Sequence, residues 1–412
     1  MCLQLLPDTT NNMVPSNYPR DNLHLVFIHK MKFLLLLKIG VGEAGFEPAA
    51  SRLSAGCSSQ AKLHAPEQTR EKHTHFEDAH LALLLIDCQS EKSSRTRYSR
   101  GSLMPVVSGS SGRAIAEALA PLLDMEHVEL ISRRFPDGEG YVRVPSKSID
   151  SVRSEPVVLV SNTYPDSGVL ETILLLEAIA SVRSGDLSNY KNEEPQSLPD
   201  VGPGIFLAIP YFGYSRQDKR FSPGEPVSAR VIGEMLARCC DGIAILDLHA
   251  PAILEDLSVP VEFVSAMPEI AARLSDEIDP DFILSPDKGA IDRATEVATI
   301  GGWDFSYLEK TRIDAHTIEH TPKDLDVNGK IVAIVDDMIS TGGTICRASD
   351  ALHRQGATEV HAACTHGLFT AGAISRLSNH VDGVHSTDSL PNPRAVVSSA
   401  PALARGLKNL MG

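Results

Sequence analysis

Short apolar runs alternate with longer helical stretches along the chain from residue 104 onward. Five of the runs occupy residues 157–160, 205–210, 244–249, 282–284 and 330–337. Continuous apolar runs of this length, each followed by a polar or Gly/Pro-marked turn, predict strands that are buried on both faces of a parallel sheet. A helical pattern at 169–182 follows the first run. The chain is therefore expected to adopt an α/β fold built from strand–loop–helix units.

Two of these units are similar to each other. Residues 157–179 and 331–357 both consist of an apolar strand, a polar loop and a helical stretch. Two related half-domains would explain the similarity, although any α/β protein contains several such units. The polar, Gly- and Pro-rich stretch 182–204 is expected to be an exposed loop. Ligands of such folds bind at the carboxyl ends of the strands, so the loops after these strands are the first candidates for a site.

The first 103 residues differ from the rest. The apolar stretch 23–40 is interrupted by His24, His29, Lys30, Lys32 and Lys38, which makes it a poor membrane span or signal peptide. Residues 41–60 resemble the conceptual translation of a transfer-RNA gene. A strand-like pattern begins directly after Met104. The hypothesis is that translation starts at Met104 and that 1–103 is a spurious extension; a natural disordered extension is the alternative.

The charge of the chain is concentrated after residue 103. The formal net charge is −15; residues 1–103 hold 12 Lys/Arg and 10 Asp/Glu, whereas the remainder holds 26 and 43. A body this acidic would repel phosphate backbones, which argues against partners such as nucleic acids and anionic membranes. Phosphate-bearing ligands would have to be held by local loops, metal ions and a few placed cations.

Cysteine usage fits a reducing compartment. The chain has 7 cysteines, including the adjacent Cys239 and Cys240, and none of them forms a CxxC pair. Neither a disulfide framework nor a zinc site is indicated. A cytoplasmic location is the simplest expectation.

The strongest chemical signal is the segment 331–344. A buried strand delivers Asp336 and Asp337 to its end, and a loop with Ser340, Thr341, Gly342, Gly343 and Thr344 leads into a helix expected to start near Ile345. Glycines let backbone N–H groups close around a phosphate, and a helix N terminus adds positive potential. The two carboxylates suit a sugar diol or Mg²⁺.

A structural explanation for the same segment also exists. A helix capped by Thr341 or Thr344, with glycine for the turn, would account for one threonine and one glycine. It would leave unexplained the two acids that emerge from an apolar strand. The segment resembles the loop that binds phosphoribosyl diphosphate (PRPP) in type I phosphoribosyltransferases and PRPP synthetases, and by itself does not separate these two groups.

Further segments upstream follow one family's order. They are RRFPDGEGYVRV at 133–144, YFGYSRQDKRFSPGEPVSA at 211–229, DLH at 247–249, SPDKGA at 285–290 and EKTR at 309–312. Taken singly, each is explained as a turn, a solvated loop or an exposed charged face. Together, across nearly all of 104–390, they resemble the ribose-phosphate diphosphokinase (PRPP synthetase) family. After Arg312 the chain lacks the further arginines of many bacterial members, so the archaeal-type pattern is the closer comparison.

The resemblance implies a fold and a reaction. The expected fold is α/β, with two tandem type I phosphoribosyltransferase-like domains, each a mainly parallel sheet flanked by helices. An N-terminal domain on the ATP side would span 104–264, and a C-terminal domain with the ribose 5-phosphate loop would span 265–412. The expected enzyme transfers the β,γ-diphosphate of MgATP to the anomeric hydroxyl of ribose 5-phosphate, giving PRPP and AMP for nucleotide biosynthesis.

The resemblance also implies a role for each matching residue. Mg²⁺ is the expected cofactor. The catalytic residues would be Lys310 and Arg312; the ATP-binding residues Phe135, Asp137, Glu139, Arg216, Gln217 and Asp218; the metal ligands His249 and Asp287; and the ribose 5-phosphate-binding residues Asp336, Asp337, Ser340, Thr341, Gly342, Gly343 and Thr344.

Two other functions stay open at this point. A phosphoribosyltransferase that consumes PRPP is disfavoured because such chains are usually a single domain and lack the 133–144 and 216–218 segments. A catalytically silent subunit on the same fold would be expected to have lost catalytic residues, whereas the matching motifs are intact here. The family assembles as homodimers or homohexamers, so a homo-oligomer is expected.

Overall fold

The computed structural model of the chain describes residues 104–185, 204–312, 318–321 and 325–412. These residues belong to one compact unit. The proposed extension 1–103 and most of the expected surface loop 182–204 lie outside the described residues.

The first half of the described chain contains a six-stranded parallel sheet and a hairpin. Its strands are β1 (Pro105–Ser108), β2 (Glu126–Glu129), β3 (Ile131–Arg134), β4 (Gly140–Arg143), β5 (Val157–Val160), β6 (Ile205–Ile209), β7 (Gly242–Leu246) and β8 (Val261–Val264). The sheet order is β2-β1-β5-β6-β7-β8, and every neighbouring pair is parallel. Strands β3 and β4 form a separate antiparallel hairpin.

The helices of this half are α1 (Arg113–Leu122), α2 (Ile149–Ser154), α3 (Asp166–Ser184) and α4 (Ser228–Ala237). Short 3₁₀ turns occupy Ser146–Ser148 and Pro251–Ile253.

The second half repeats this arrangement. Its strands are β9 (Phe282–Ser285), β10 (Asp304–Tyr307), β11 (Glu309–Arg312), β12 (Ile318–Thr321), β13 (Ile331–Ile339), β14 (Glu359–Gly367), β15 (Gly383–Thr387) and β16 (Ala395–Val397). The sheet order is β10-β9-β13-β14-β15-β16, all parallel, and β11 pairs with β12 as an antiparallel hairpin.

The helices that follow the first half are α5 (Met267–Glu277), α6 (Ile291–Gly301), α7 (Gly343–Arg354), α8 (Ala373–Leu377) and α9 (Ala400–Met411). A 3₁₀ turn occupies Lys288–Ala290.

Both sheets are buried on both faces, as the apolar runs predict. Successive residues of a strand point to opposite faces. In β5, Leu159 packs into the core on the side of α3 and α4, whereas Val158 and Val160 pack into the core on the side of α1 and α9. The second sheet likewise has α7 on one face and α5 with α6 on the other. The predicted α/β fold with two mainly parallel, helix-flanked sheets is confirmed.

The two halves share one topology, which confirms the expectation of two related half-domains. In each half the second strand lies at the sheet edge beside the first, and a hairpin is inserted before the third strand. A buried leucine joins the second strand to the hairpin in both halves, and its N–H donates to the last residue of the first strand. These hydrogen bonds are Leu130 to Ser108 and Leu308 to Ser285, both 2.9 Å.

The last helix does not stay with the second sheet. Helix α9 packs against β7, β8 and α1 of the first half. Leu403 and Leu407 on this helix are fully buried in the core that also contains Val158 and Leu246. The C-terminal end of the chain therefore covers one face of the first sheet, while the assignment of 265–412 to a single domain stays a prediction.

Replacing Leu403 by Ala tests this packing. The substitution removes a fully buried side chain from the core under α9, which is expected to lower the free energy of unfolding by about 2–5 kcal/mol. Denaturant unfolding followed by circular dichroism measures the change. The exposed Lys408 on the same helix provides the control, since Lys408→Ala should alter stability by less than about 0.5 kcal/mol. Equal stability of Leu403→Ala and the unmodified chain would contradict the packing.

Candidate active site

The carboxyl ends of the two sheets meet, and the candidate site lies where they do. His249 follows β7 of the first sheet, and Asp337 lies in β13 of the second. Their side chains are in contact, with Nδ1 of His249 2.6 Å from Oδ2 of Asp337. The sequence predicts both residues at strand ends, but the contact between them follows only from the way the two halves are assembled.

Buried polar contacts join the same two edges. The Asn162 amide after β5 donates to the carbonyl of Ser389 at 2.9 Å, and its Oδ1 accepts from the Tyr211 N–H at 2.7 Å. The hydroxyl of Thr365 in β14 donates to the Asp247 carboxylate. We call these four residues, with Ser389, the edge interface. Because each of these buried groups has a partner across or beside the interface, the two halves are held in one defined arrangement.

A cavity of about 740 Å³ opens at this point. It brings together many of the residues that the sequence predicts for metal and ribose 5-phosphate binding. The lining residues are Arg216, His249, Asp287, Gly289, Asp336, Asp337, Met338, Ile339, Ser340, Thr341, Gly342, Gly343, Thr344 and Ile345.

The loop after β13 has the backbone geometry of an anion-binding turn. Gly342 has φ +73°, in the left-handed region that favours glycine. A Cβ at this position would also lie only 3.0 Å from Cγ of Leu377. Helix α7 starts at Gly343, and no side chain caps it. The alternative of a helix capped by Thr341 or Thr344 is therefore wrong, and the N-terminal turn of α7 is available to an anion.

Two neighbouring side chains fix this loop. The guanidinium of Arg376, on α8, donates to the carbonyl of Thr341. The hydroxyls of Ser340 and Thr370 lie 3.1 Å apart. Arg376 and Thr370 are absent from the sequence prediction, because they come from the segment after β14 and carry no motif of their own.

Burial and charge separate the two adjacent carboxylates. For Asp337, burial acts to raise the pKa, but the hydrogen bond with His249 and the charge of Arg293 outweigh it and lower the pKa to about 2. For Asp336, burial and the nearby Asp337 charge raise the pKa well above its ordinary value. Asp337 is thus the ionised partner of the pair, and Asp336 is the carboxyl that gains a proton more readily.

The His249 imidazole is favoured in its charged form. Its hydrogen bond to Asp337 raises the pKa of His249 by more than burial lowers it, and the charge of Asp218 acts in the same direction. An imidazolium has no free lone pair, so a metal ion that bound His249 would displace a proton. Cation binding at this position is therefore expected to be weaker in acid.

Asp287 lies at the turn after β9. Its Oδ1 accepts from the Gly289 N–H at 2.8 Å, and its carbonyl accepts from the Ser285 hydroxyl at 2.6 Å. Within the described parts of the chain, no group of three His, Cys, Asp or Glu side chains is close enough to hold a metal ion alone. Mg²⁺ commonly takes only one or two protein carboxylates and completes its shell with water and substrate phosphates. The oxygen-rich lining fits such a shared site.

Two of the predicted ATP-binding residues border a second cavity. Arg216 lines both the main cavity and a neighbouring one of about 510 Å³, and Gln217 lines the second alone. The rings of Tyr164, Tyr211 and Tyr214 also line the second cavity. Asp218 lies close enough to His249 for its charge to affect the imidazole. Arg216 therefore stands between an acidic cavity and an aromatic one.

The other three predicted ATP-binding residues lie elsewhere. Phe135, Asp137 and Glu139 belong to the β3–β4 hairpin and its turn. Asp137 and Glu139 line a third cavity, of about 680 Å³, which shares no lining residue with the main cavity. Phe135 is 42% exposed, and its ring contacts the Tyr141 ring edge-on at 5.8 Å. Within one chain the structure does not bring this hairpin into the main cavity.

The predicted catalytic residues lie on the other hairpin. Lys310 and Arg312 belong to β11, where the backbone of Lys310 pairs with that of His320 in β12. Their side chains and residues 313–317 lie outside the described part of the structure. The roles of Lys310 and Arg312 stay a prediction.

Comparisons with known proteins agree with this geometry. The model of the phosphoribosyl transferase domain matches residues 261–395, and that of the N-terminal domain of ribose phosphate pyrophosphokinase matches residues 203–239. The ribose-phosphate pyrophosphokinase of Methanopyrus kandleri is 38% identical over 313 residues, covering 75% of this chain and 100% of the relative. That of Pyrococcus furiosus is 36% identical, covering 72% and 98%.

A solved structure extends the likeness to the fold. The phosphoribosylpyrophosphate synthetase of Mycobacterium smegmatis has 27% sequence identity and a TM-score of 0.59, and the match covers 74% of this chain and 98% of that one. Among the described residues, no helix is long and apolar enough to cross a membrane.

The contact between His249 and Asp337 predicts a measurable titration. In Asp337→Asn the pKa of His249 should fall, because the carboxylate that favours the imidazolium is removed. Histidine-selective NMR titration measures it. Asp382→Asn, which changes the carboxylate 3.7 Å from the distant His353, is the control. An unchanged His249 titration in Asp337→Asn would contradict the contact.

The pH dependence of the stability follows from the pKa shifts of His249 and Asp337. Since the pKa of His249 is raised on folding, its contribution is present in acid and is lost as the pH rises through that raised value. The pKa of Asp337 is lowered to about 2, so its contribution is present above the ordinary aspartate range and is lost as the pH falls toward 2.

Proposed function

The chain belongs to the ribose-phosphate pyrophosphokinase family, and from that premise we propose that its acidic cavity is the place where MgATP and ribose 5-phosphate are converted into PRPP and AMP. We assign the site on one observation. His249 contacts Asp337 beside the glycine loop, whose helix has no side-chain cap. The product serves nucleotide biosynthesis. The four described cysteines are free, which suits the expected reducing cytoplasm.

The ribose 5-phosphate end of the reaction is assigned to the loop after β13. The 5-phosphate would accept hydrogen bonds from the backbone and hydroxyls of residues 340–344, at the N-terminal end of α7. Asp336 and Asp337 would accept hydrogen bonds from the ribose hydroxyls. These contacts hold the sugar so that its anomeric hydroxyl points away from the loop, toward the rest of the cavity.

The ATP end is assigned to the side of the cavity bordered by Arg216. His249 and Asp287 would share a Mg²⁺ ion with the phosphates, and when bound the ion neutralises charge on the transferred diphosphate. Arg216, between the two cavities, would contact the phosphate chain, with Gln217 and Asp218 beside it. Lys310 and Arg312 would approach from β11 and stabilise the charge that develops during transfer.

The chemical step is a displacement at phosphorus. The anomeric oxygen forms a bond to the β-phosphorus, the bond from that phosphorus to the oxygen bridging to the α-phosphate breaks, and AMP leaves with both electrons of that bond. The anomeric hydroxyl gives up its proton to solvent as the new bond to phosphorus forms. Such a transfer depends on alignment and charge neutralisation more than on covalent help from the protein, which fits a cavity lined by carboxylates, loop hydroxyls and a few cations.

We further propose that the β3–β4 hairpin acts in a second copy of the chain. Phe135, Asp137 and Glu139 resemble the segment that contacts adenine, yet the cavity beside them is separate from the main one. The exposed Phe135 ring is available for stacking. A homo-oligomer in which the hairpin of one copy completes the nucleotide site of another reconciles the sequence resemblance with the separation of the two cavities.

A coupled assay for AMP release tests the reaction and the role of Lys310 together. The unmodified chain should release AMP only when ribose 5-phosphate, ATP and magnesium are all present. Lys310→Ala should cut kcat by about 10²-fold or more while leaving ATP affinity nearly unchanged, because the side chain acts on charge developed during transfer. Lys330→Ala is the control, because Lys330 directly precedes β13, whereas the cavity lies at the carboxyl end of that strand.

Two results would contradict this assignment. Near-normal kcat in Lys310→Ala would remove Lys310 from catalysis. A folded, unmodified chain that binds ATP without releasing AMP would favour the silent-subunit alternative.

Subunit complementation tests the placement of the hairpin. Phe135→Ala and Lys310→Ala should each be nearly inactive alone. When the two are co-expressed, a site made from the Phe135→Ala cavity and the Lys310→Ala hairpin is complete, so for dimers about a quarter of the unmodified activity should return. Successive affinity purification through a different tag on each variant isolates the mixed oligomers. If mixed oligomers form and no activity returns, the hairpin works within its own chain or not at all.

A further inference from the structure

Arg293 lies against the contact between the two halves, although no motif marks it in the sequence. It is on the first turn of α6, in the second half, and its side chain is 17% exposed. Its Nη2 donates to the carbonyl of Leu248 at 3.0 Å and lies 3.7 Å from Oδ2 of Asp337. Its Nε lies 3.9 Å from Oδ1 of Asp247. One guanidinium therefore reaches both halves.

The segment that Arg293 contacts in the first half is backbone-strained. Asp247 has φ +39°, a conformation that is unfavourable for a residue other than glycine. Its carboxylate accepts from the Ala266 N–H at 3.0 Å and from the Thr365 hydroxyl. A strained conformation persists only when its surroundings determine it. The direction in which the chain leaves β7, and hence the position of His249 two residues later, depends on these contacts.

Arg293 is also the cation that Asp247 and Asp337 share. Both carboxylates are largely buried, at 7% and 3% exposure. Among the ion pairs of the described residues, Arg293 is the one arginine within 4 Å of both. A planar guanidinium can serve several acceptors at once, which a lysine ammonium at the end of a flexible chain does less well. Removing the guanidinium would leave two buried carboxylates without their shared cation, which would lower the stability of the folded chain.

We propose that Arg293 is a positioning residue, which aligns the His249-bearing end of the first sheet with Asp337 of the second and so sets the geometry of the cation and sugar site. This inference rests on the proposed function. Arg293 acts through Leu248, Asp247 and Asp337 rather than through substrate. Its loss would let the two strand ends move relative to each other, and small displacements of positioned groups cost a large factor in rate.

Four variants separate positioning from simple support of the fold. Arg293→Met removes the charge and the hydrogen bond while keeping most of the volume. Arg293→Lys keeps the positive charge, but an ammonium serves Leu248, Asp247 and Asp337 at the same time less well than a guanidinium does. The double variant Arg293→Met with Asp247→Asn removes the carboxylate that would be left unpaired in the first half. Arg273→Met is the matched control, because Arg273 lies on the neighbouring α5 and its ion pair within the described residues is with Glu277.

The readouts are the melting temperature, kcat in the AMP-release assay, and calorimetric binding of ribose 5-phosphate without metal. Arg293→Met is expected to lose about 10–100-fold in kcat, as is usual when a residue that orients a ligand-binding group is removed, and to bind ribose 5-phosphate several-fold more weakly. Arg293→Lys should recover part of both. The double variant should regain melting temperature but not kcat, and Arg273→Met should retain the kcat of the unmodified chain.

Three outcomes overturn the proposal. Unchanged kcat and sugar binding in Arg293→Met would remove the positioning role. Recovery of kcat together with melting temperature in the double variant would reduce Arg293 to a counter-charge for Asp247. An equal loss in Arg273→Met would make the effect non-specific. If the unmodified chain itself forms no PRPP, the proposed function fails instead, while the metal-free sugar binding of the variants still tests the alignment.

Discussion

The structure depends on how its two parallel sheets are placed against each other at the edges formed by the carboxyl ends of their strands. Such edges present strand ends, polar loops and, here, several carboxylates, so an interface between them is costly unless each buried group has a partner. The edge interface meets this requirement with Asn162, Thr365 and Asp247, and His249 with Asp337 completes it at the cavity. The same contacts that satisfy the buried groups also fix the distance between the two halves of the site. Stability and site geometry are therefore set by one group of side chains.

Duplication of the fold explains how this site became asymmetric. Each half inserts a hairpin between its second and third strands, after a buried leucine that makes the same hydrogen bond in both. The first hairpin carries Phe135, Asp137 and Glu139, and the second carries Lys310 and Arg312. The loop after the third strand differs in the same way. In the first half it brings Tyr164 to an aromatic cavity, whereas in the second it is the glycine loop beside Asp336. Equivalent positions in the two halves therefore present different chemistry.

The sequence predicts the strands and the glycine loop, which depend on local residue patterns. It does not predict the contacts that form only when the two halves are assembled. The apolar runs located β5, β6, β7, β9 and β13, because strands buried on both faces are continuously hydrophobic. The glycine loop was predicted because its backbone requirement restricts residue type. Arg293 was missed because an arginine in the first turn of a helix is usually a solvated residue, and only the approach of the other sheet turns it into a shared partner. The hairpin with Phe135 was assigned to ATP by resemblance, while its distance from the main cavity is a property of the folded chain that no local pattern contains.

The charges of the cavity bear on the proposal that the nucleotide binds as a metal complex. Asp287, Asp336 and Asp337 line it, and the chain after residue 103 carries a large excess of acidic residues. Among the lining residues whose side chains the structure describes, Arg216 is the one arginine or lysine, so a free triphosphate would meet mainly repulsion from them. A metal-bound triphosphate carries less negative charge and offers the carboxylates a partner. The raised pKa of His249 adds a second condition, because its imidazole must lose a proton before it can bind a cation. Carboxylates that line the cavity would thus favour a phosphate that arrives together with its counter-ion.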